Sequence, residues 1–391
     1  MHLATTPEID ALRLELRGYY ARLLTPAVIA ELGREGERGG PVRSRLLKQL
    51  GTDGWLGIGW PAEFGGHGRG PDAQFAFFDE SFRAGAPLPM VTLTTVGPTL
   101  MDLGSPEQKA RFLPGILAGE IVFAIGYTEP EAGTDLASLR TKAVRDGDEW
   151  VIDGEKVFTS GADGADYIWL ACRTDPGAAK HKGISVIVVP TSAPGFSVTP
   201  IDTVGDVSTT TTYYDNVRVP RANLIGEENG GWRLITSQLN HERVGLAAIG
   251  GVCQESYDET VRWAASRTRA GGCRVIDDPW VQIRLAEAYA RLSALRLVNL
   301  RLVGDVASGE LNPGDASAAK VLGSETAVDV YRILLEVVGA QGLVRGNDGS
   351  FYGRLERANR MAQINTFGGG VNEVQREIIA TARLGMKRRP R

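Results

Sequence analysis

The sequence predicts an α+β multidomain fold: an N-terminal helical domain, a small central β-barrel or sandwich domain, and a C-terminal four-helix bundle. Three observations carry this reading. Residues 1 to about 120 place their apolar side chains at helical spacing. Residues from about 121 to 228 switch to short β-branched and aromatic runs, broken by Gly, Asp and Pro. Residues from about 229 return to long helical stripes joined by short loops. The domain limits read as 1–120, 121–228 and 229–391, and 391 residues suffice for two or three domains with a sizeable core.

In the first part, Leu12, Leu16, Tyr19 and Leu23 share one helical face, and Val42 to Leu50 forms a second amphipathic stretch. The Gly- and aromatic-rich run Trp55-Leu-Gly-Ile-Gly-Trp-Pro-Ala-Glu-Phe-Gly-Gly-His-Gly has no G-x-x-x-x-G-K-[ST] pattern and reads as a structural connection. Helices resume over Asp72 to Phe82 and Ser105 to Leu117. The second opens on Ser105-Pro-Glu-Gln, which supplies a cap, a proline in the first turn and an acid there.

In the middle part, Ile121-Val-Phe-Ala-Ile-Gly-Tyr reads as a buried strand. Thr128-Glu-Pro stops it, because proline cannot donate to a ladder. Ala132-Gly-Thr-Asp is then a small-residue turn. Its N–H groups and hydroxyls suit an anion or an electron-rich ring edge, or simply water. The run from Trp150 to Ser160 reads as a β-hairpin about an Asp153-Gly154 turn. Phe158, followed by hydroxyls, offers a platform for a flat ring. More strands are expected at Tyr167–Cys172, Gly183–Pro190, Gly195–Pro200 and Thr209–Val217. In the last part, Leu285, Tyr289, Leu292, Leu295 and Leu297 to Leu302 form one apolar stripe, and Ala318 to Val338 another.

A net charge of −4 argues against a nucleic-acid partner, and the basic end Lys387-Arg-Arg-Pro-Arg391 reads as a solvated tail. Cys172, Cys253 and Cys273 lack metal or disulfide spacing, and the four histidines lack ligand spacing, so no metal is expected. No leader pattern opens the chain, and no apolar run approaches the roughly 20 residues of a membrane span. The expectation is a cytoplasmic protein with no membrane contact.

Tyr127-Thr-Glu-Pro-Glu-Ala-Gly-Thr-Asp135, followed by Gly154-Glu-Lys-Val-Phe-Thr-Ser-Gly161, resembles the flavin-contacting half of the acyl-CoA dehydrogenases. Trp60-Pro-Ala-Glu-Phe-Gly-Gly, Asp215-Asn-Val-Arg-Val-Pro, Gly226-Glu-Glu-Asn-Gly-Gly-Trp and Asn372-Glu-Val-Gln-Arg-Glu-Ile-Ile-Ala extend the resemblance over essentially the whole chain. It implies FAD as cofactor, contacted by Ile125, Tyr127, Thr128, Gly133, Thr134, Phe158 and Ser160. Phe158 would stack near the isoalloxazine, where tryptophan is commoner, and Ser160 would bond it. The implied reaction is α,β-desaturation of an acyl-CoA thioester, with proton abstraction from Cα and hydride transfer from Cβ to flavin N5. The base must be a carboxylate whose pKa is raised by desolvation. Many members carry it in a Tyr-Glu-Gly-Thr stretch, but here Phe367-Gly-Gly-Gly puts Gly369 at that place. A second family position, just before an arginine, falls on Glu242, with Arg243 to orient or balance it. Read alone, Glu242-Arg243 also fits an exposed charged pair on an amphipathic helix, but with Gly369 removing the competitor Glu242 is the favoured base. His241 is a weaker candidate, since adjacent helix residues point about 100° apart.

The resemblance also marks departures. Homo-oligomeric relatives lend a neighbour an Arg from an R-x-x-F-G stretch and a Gln from Q-x-x-G-x-x-G. Here Thr268 and Gly271 replace the first pattern, flanked by Arg267 and Arg269, and Glu336 replaces the glutamine. The chain thus resembles the catalytic subunit of the actinobacterial α2β2 acyl-CoA dehydrogenases of sterol side-chain degradation. That implies a homologous second subunit, a steroid CoA ester as substrate, and an electron-transfer flavoprotein or similar acceptor. Two alternatives stay open: a dehydrogenase or oxidase for short or branched acyl-CoA, and a non-catalytic subunit that completes a partner's site.

Overall fold

The computed structural model describes residues 5–35, 39–238, 250–346 and 350–387. Among the described residues, six α-helices form the N-terminal part: α1 (Pro7–Leu23), α2 (Pro26–Glu35), α3 (Pro41–Thr52), α4 (Gly70–Ala84), α5 (Gly97–Leu103) and α6 (Pro106–Leu117). α1 buries Leu12, Leu16 and Tyr20, and leaves Tyr19 and Leu23 half-buried at the edge of the same core. Charge also joins α1 to α4. Arg13 donates to Asp79 at 2.5 Å and to Glu80 at 2.8 Å, and Arg17 donates to both oxygens of Glu80 at 2.8 and 2.9 Å. α6 opens on a complete capping box between Ser105 and Gln108. The glycine-rich connection seats Trp60. A Cβ on Gly66 would lie 2.2 Å from the Trp60 carbonyl oxygen, and one on Gly97 would lie 2.2 Å from its ring. These glycines serve packing.

Eight strands form the middle part: β1 (Phe123–Gly126), β2 (Lys142–Asp146), β3 (Glu149–Lys156), β4 (Tyr167–Arg173), β5 (Ile184–Pro190), β6 (Phe196–Asp202), β7 (Ser208–Pro220) and β8 (Leu224–Ile225). They form two halves, β6-β7-β3-β2 and β1-β4-β5-β8, whose ladders meet at the pairing of Lys142 with Arg173. Trp150, Ile152, Ile168, Leu170 and Val217 fill one core between the halves. Phe123, Trp169, Val186 and Val188 point the other way, into the core of the N-terminal helices. β4 and β5 are therefore buried on both faces, which explains their unbroken apolar runs.

The expected hairpin at Asp153-Gly154 is not formed. β3 runs straight through both residues. The tight turn lies upstream, at Gly147-Asp148, where Gly147 takes φ 61°, the place a type II′ turn reserves for glycine. Opposite Asp153, β7 absorbs one extra residue. Asn216 enters the left-handed region at φ 50° and donates its N–H to Asp153 Oδ1 at 2.9 Å. Gly154 is needed for a close approach, since a Cβ there would meet the backbone of Thr141 at 2.8 Å.

The C-terminal part contains α7 (Gly250–Ser266), α8 (Pro279–Ala307), α9 (Pro313–Val338), α10 (Phe351–Ala362) and α11 (Asn372–Ile378), after a helical start over 231–238. Cys253, Leu285, Leu292, Val330, Leu334 and Leu355 share its core. Tyr289 and Leu297 leave the expected stripe, being 57% and 49% exposed. The inward face of α8 follows Leu285, Ala288, Leu292, Leu295 and Leu302, the spacing a helix requires. The turn between β6 and β7 is tied to α10. Asp206, at φ 55°, accepts from Arg360 at 2.5 Å and from Arg345, while its carbonyl accepts from Arg357 at 3.2 Å. No helix of the described residues is long and apolar enough to cross a membrane.

Candidate flavin and acyl-CoA site

The turn after β1 is held from inside the sandwich. Glu129 and Ala132 exchange backbone bonds at 3.2 and 3.1 Å, which closes a tight loop and leaves Gly133 and Thr134 exposed. The Glu129 side chain points inward. Its Oε1 accepts from Lys156 Nζ and from the Thr141 N–H, both at 2.8 Å, and its Oε2 accepts from the Arg140 N–H at 2.6 Å. Lys156 is fully buried and also donates to the Tyr127 carbonyl at 3.1 Å. Burial pushes the Glu129 carboxyl up, but Lys156 and the backbone donor outweigh it and hold it below the usual carboxylate range. The next residue, Val157, donates its N–H to the Thr128 carbonyl at 2.8 Å. The two stretches singled out in the sequence are thereby brought side by side.

Phe158 follows at φ 60° and is 62% exposed. A bulky side chain in the left-handed region is strained, and such strain clusters at functional sites. It is locked from beyond: the Thr159 N–H donates to the Thr210 carbonyl at 2.9 Å, and Thr210 Oγ1 returns a bond to the Thr159 carbonyl at 2.6 Å. Ser160 Oγ donates to Thr209 Oγ1 at 2.9 Å, which leaves its lone pairs to accept. Ile125 and Tyr127 are half-buried against the helical core, and Thr128 is half-buried at the strand end. The open approach also fits a flat ring: a Cβ on Gly133 would find only Thr128 Cγ2, at 3.9 Å. The residues present thus match the demands of FAD.

Two further elements meet this edge. Tyr127 donates its hydroxyl to Gln238 Oε1 at 2.5 Å, across the seam to the helical segment 231–238. Gln238 is 2% exposed, and its Nε2 has no hydrogen-bond partner among the described residues. Glu242, Arg243 and His241 lie outside the described residues. In the Phe367–Val371 loop, Gly369 and Gly370 take φ 67° and 96°, and a Cβ on Gly369 would meet nothing within 4 Å among the described residues. Lys320 holds this loop by donating to the Gly370 carbonyl at 2.7 Å and to Asn372 Oδ1 at 2.8 Å. Partial burial pulls the Lys320 ammonium down to about 8. Gly369, where the resemblance leads one to expect a carboxylate, carries no side chain.

At the stretches that would serve a neighbour, Thr268 pairs with Arg274 in a small β-bridge whose tip holds Gly271 and Gly272 at φ 104° and 87°. Arg269 is engaged with Asp278 at 2.7 Å. Arg267 is exposed. Glu336 accepts from Arg284 at 2.5 Å.

The sequence reading passed over Lys156, Glu129 and Gln238. For Lys156 a signal existed. It shares the even-numbered face of β3 with Trp150 and Ile152, so strand alternation alone sends it into the core, where an ammonium needs a carboxylate. Gln238 had no such signal.

Three family descriptions match the chain: acyl-CoA dehydrogenase, N-terminal domain, over residues 6–120; middle domain, over 124–217; and C-terminal domain, over 229–384. The acyl-CoA dehydrogenases FadE26 and FadE29 of Mycobacterium tuberculosis are each 49% identical to it, with 99% and 100% of both chains covered, respectively. Among solved structures, the Tcur3481-Tcur3483 steroid ACAD is 54% identical with a TM-score of 0.94, over 100% of both chains. The ChsE4-ChsE5 complex from Mycobacterium tuberculosis is 48% identical with a TM-score of 0.93, again over 100% of both chains.

Proposed function

The chain belongs to the acyl-CoA dehydrogenase family, and on that premise we propose that it desaturates the CoA-thioester side chain of a steroid, as one subunit of an α2β2 enzyme. The observation that carries this reading is the joining of the 127–134 turn to the Phe158 strand end, beside the helical segment 231–238 that precedes Glu242 in the chain. FAD bound there supplies the acceptor for the hydride leaving Cβ. The chain's own residues hold and orient. Thr128, Thr134 and Ser160 offer hydroxyls, Ile125, Tyr127 and Gly133 offer backbone and apolar edge, and Phe158 offers its face. Glu242 takes the Cα proton, and Arg243 orients its carboxylate. An electron-transfer flavoprotein or a similar acceptor would be the redox partner of the loaded enzyme.

Support for the steroid and for the second subunit comes from the names of the similar structures, one a steroid ACAD and one a two-protein complex. The bare Gly369 loop agrees with both, since it leaves space for bulk and offers no competing base. We place the domain limits at residues 120 and 228, and the enzyme in the cytoplasm.

The test is flavin content and acyl-CoA desaturation for this chain alone and co-expressed with its homologous partner, in wild type and Glu242→Gln. Flavin and turnover only with the partner, and turnover lost but flavin kept in Glu242→Gln, is the expected result. A fully active Glu242→Gln enzyme would move the base to the partner and make this chain the supporting subunit.

A further inference from the structure

We propose that the buried Glu129–Lys156 pair is the positioning device of the flavin edge, fixing the 127–134 turn to the 156–160 strand end at one spacing. The inference rests on the flavin site proposed above. Its first ground is location. Lys156 is 0% exposed, and its ammonium spans the gap between the turn and the strand, reaching Glu129 at 2.8 Å and the Tyr127 carbonyl at 3.1 Å. The second is division of labour. β3 is already paired to β7 as far as Lys156, and to β2 over Glu149–Asp153. The turn has the two Glu129–Ala132 backbone bonds of its own, the Val157–Thr128 bond to the strand, the Tyr127–Gln238 bond to the helical segment and the exposed Glu131–Arg140 pair, but its tie to the core of the sandwich runs through Glu129 and Lys156. The charge pair adds little that β3 lacks, and it supplies what the turn lacks.

The third ground is chemical. Apolar side chains of similar volume would fill this core at no desolvation cost. They would leave the N–H groups of Arg140 and Thr141 and the carbonyl of Tyr127 without these partners. An ionised carboxylate accepts from two backbone donors and one ammonium at once, so one pair anchors three points of the loop. Val157 and Phe158 follow Lys156 directly. A shift of the clamp therefore moves Thr128 and Phe158 relative to each other, which is the spacing a rigid ring reads.

The experiment uses the complex co-expressed with its partner. It compares Lys156→Met, Glu129→Gln and the double variant by FAD dissociation constant, visible flavin spectrum, and unfolding of the flavin-free complex. The single variants strand a buried charge and are expected to unfold early. The double variant removes both charges, and its flavin-free unfolding should lie close to wild type. It is expected to bind FAD roughly 10- to 100-fold more weakly, the equivalent of about one or two lost hydrogen bonds, with an altered flavin spectrum, and to lose kcat more than it raises KM. A double variant with the wild-type FAD dissociation constant and spectrum overturns the clamp alone. A wild-type complex that binds no flavin overturns the clamp and the proposed function together.

Discussion

Phe158 concentrates the residue-scale argument. A phenylalanine at φ 60° that is mostly exposed gives the chain nothing by burial and costs it backbone strain. Such a residue persists because something binds against it. Phe158→Ala should therefore change the unfolding free energy of the flavin-free protein by no more than about 0.5 kcal/mol, while flavin retention falls. Phe158→Gly should lie about 1 kcal/mol above Phe158→Ala in stability, because glycine relieves the strain that alanine keeps. Urea unfolding with an unchanged slope, read beside flavin fluorescence, checks both. An alanine variant that loses stability as well would mean the ring is a packing residue after all. Phe158 and its neighbouring hydroxyls were legible in the sequence because an aromatic before Thr159 and Ser160 at a strand end is a local pattern. Gln238 was not, because its contact with Tyr127 joins residues 111 apart in the chain.

Elements are set by partners as much as by their own pattern, and the misplaced turn is the instructive case. Asp153-Gly154 and Gly147-Asp148 are both turn-forming pairs, six residues apart. The choice was made elsewhere: β7 accommodates its extra residue at Asn216, opposite Asp153, and lets β3 continue. The two glycines then predict different losses. Gly147→Ala pays only for a left-handed residue with open space around it, about 1 kcal/mol. Gly154→Ala must also push aside the backbone of Thr141, and should cost about 2–3 kcal/mol. Equal losses in thermal unfolding would contradict this strand assignment. The α1–α4 contact adds a pH test. Burial pushes the Glu80 carboxyl up, but Arg17 and Arg13 outweigh it and leave it below its ordinary value. A depressed carboxyl contributes stability that is present above the unfolded pKa, near 4.3, and is lost as pH falls through the lower folded value. Wild type should lose stability steeply below about pH 4.3. Glu80→Gln should start about 1.5–3 kcal/mol less stable at neutral pH and show a shallower acid limb.

For the whole molecule, the succession of helices, sandwich and helices was readable from periodicity, because each part changes its repeat. What joins the parts was not readable. The Asp206 cluster and the Tyr127–Gln238 bond link residues more than 100 positions apart, and nothing local announces them. The same holds for assembly, where the surface lent to a neighbour decides the answer. Glu336 is spent on Arg284, Arg269 on Asp278, and Gly271 and Gly272 carry no side chain to lend. If this chain lends no flavin contact, Glu336→Gln and Arg269→Ala should leave the flavin content of the co-expressed complex unchanged. Both pairs are partly solvent-exposed, so each change should also cost no more than about 1 kcal/mol of stability. Arg267→Ala is the sharper variant, since Arg267 is the cation here that no described ion pair occupies. Flavin content by absorbance, normalised to complex mass from light scattering, reads all three. Unchanged flavin in every variant places the lent cation and amide on the partner. A loss confined to Arg267→Ala would show that this chain still serves a neighbouring site through a shifted arginine, and the complex would then carry more flavin than one per pair of unlike subunits.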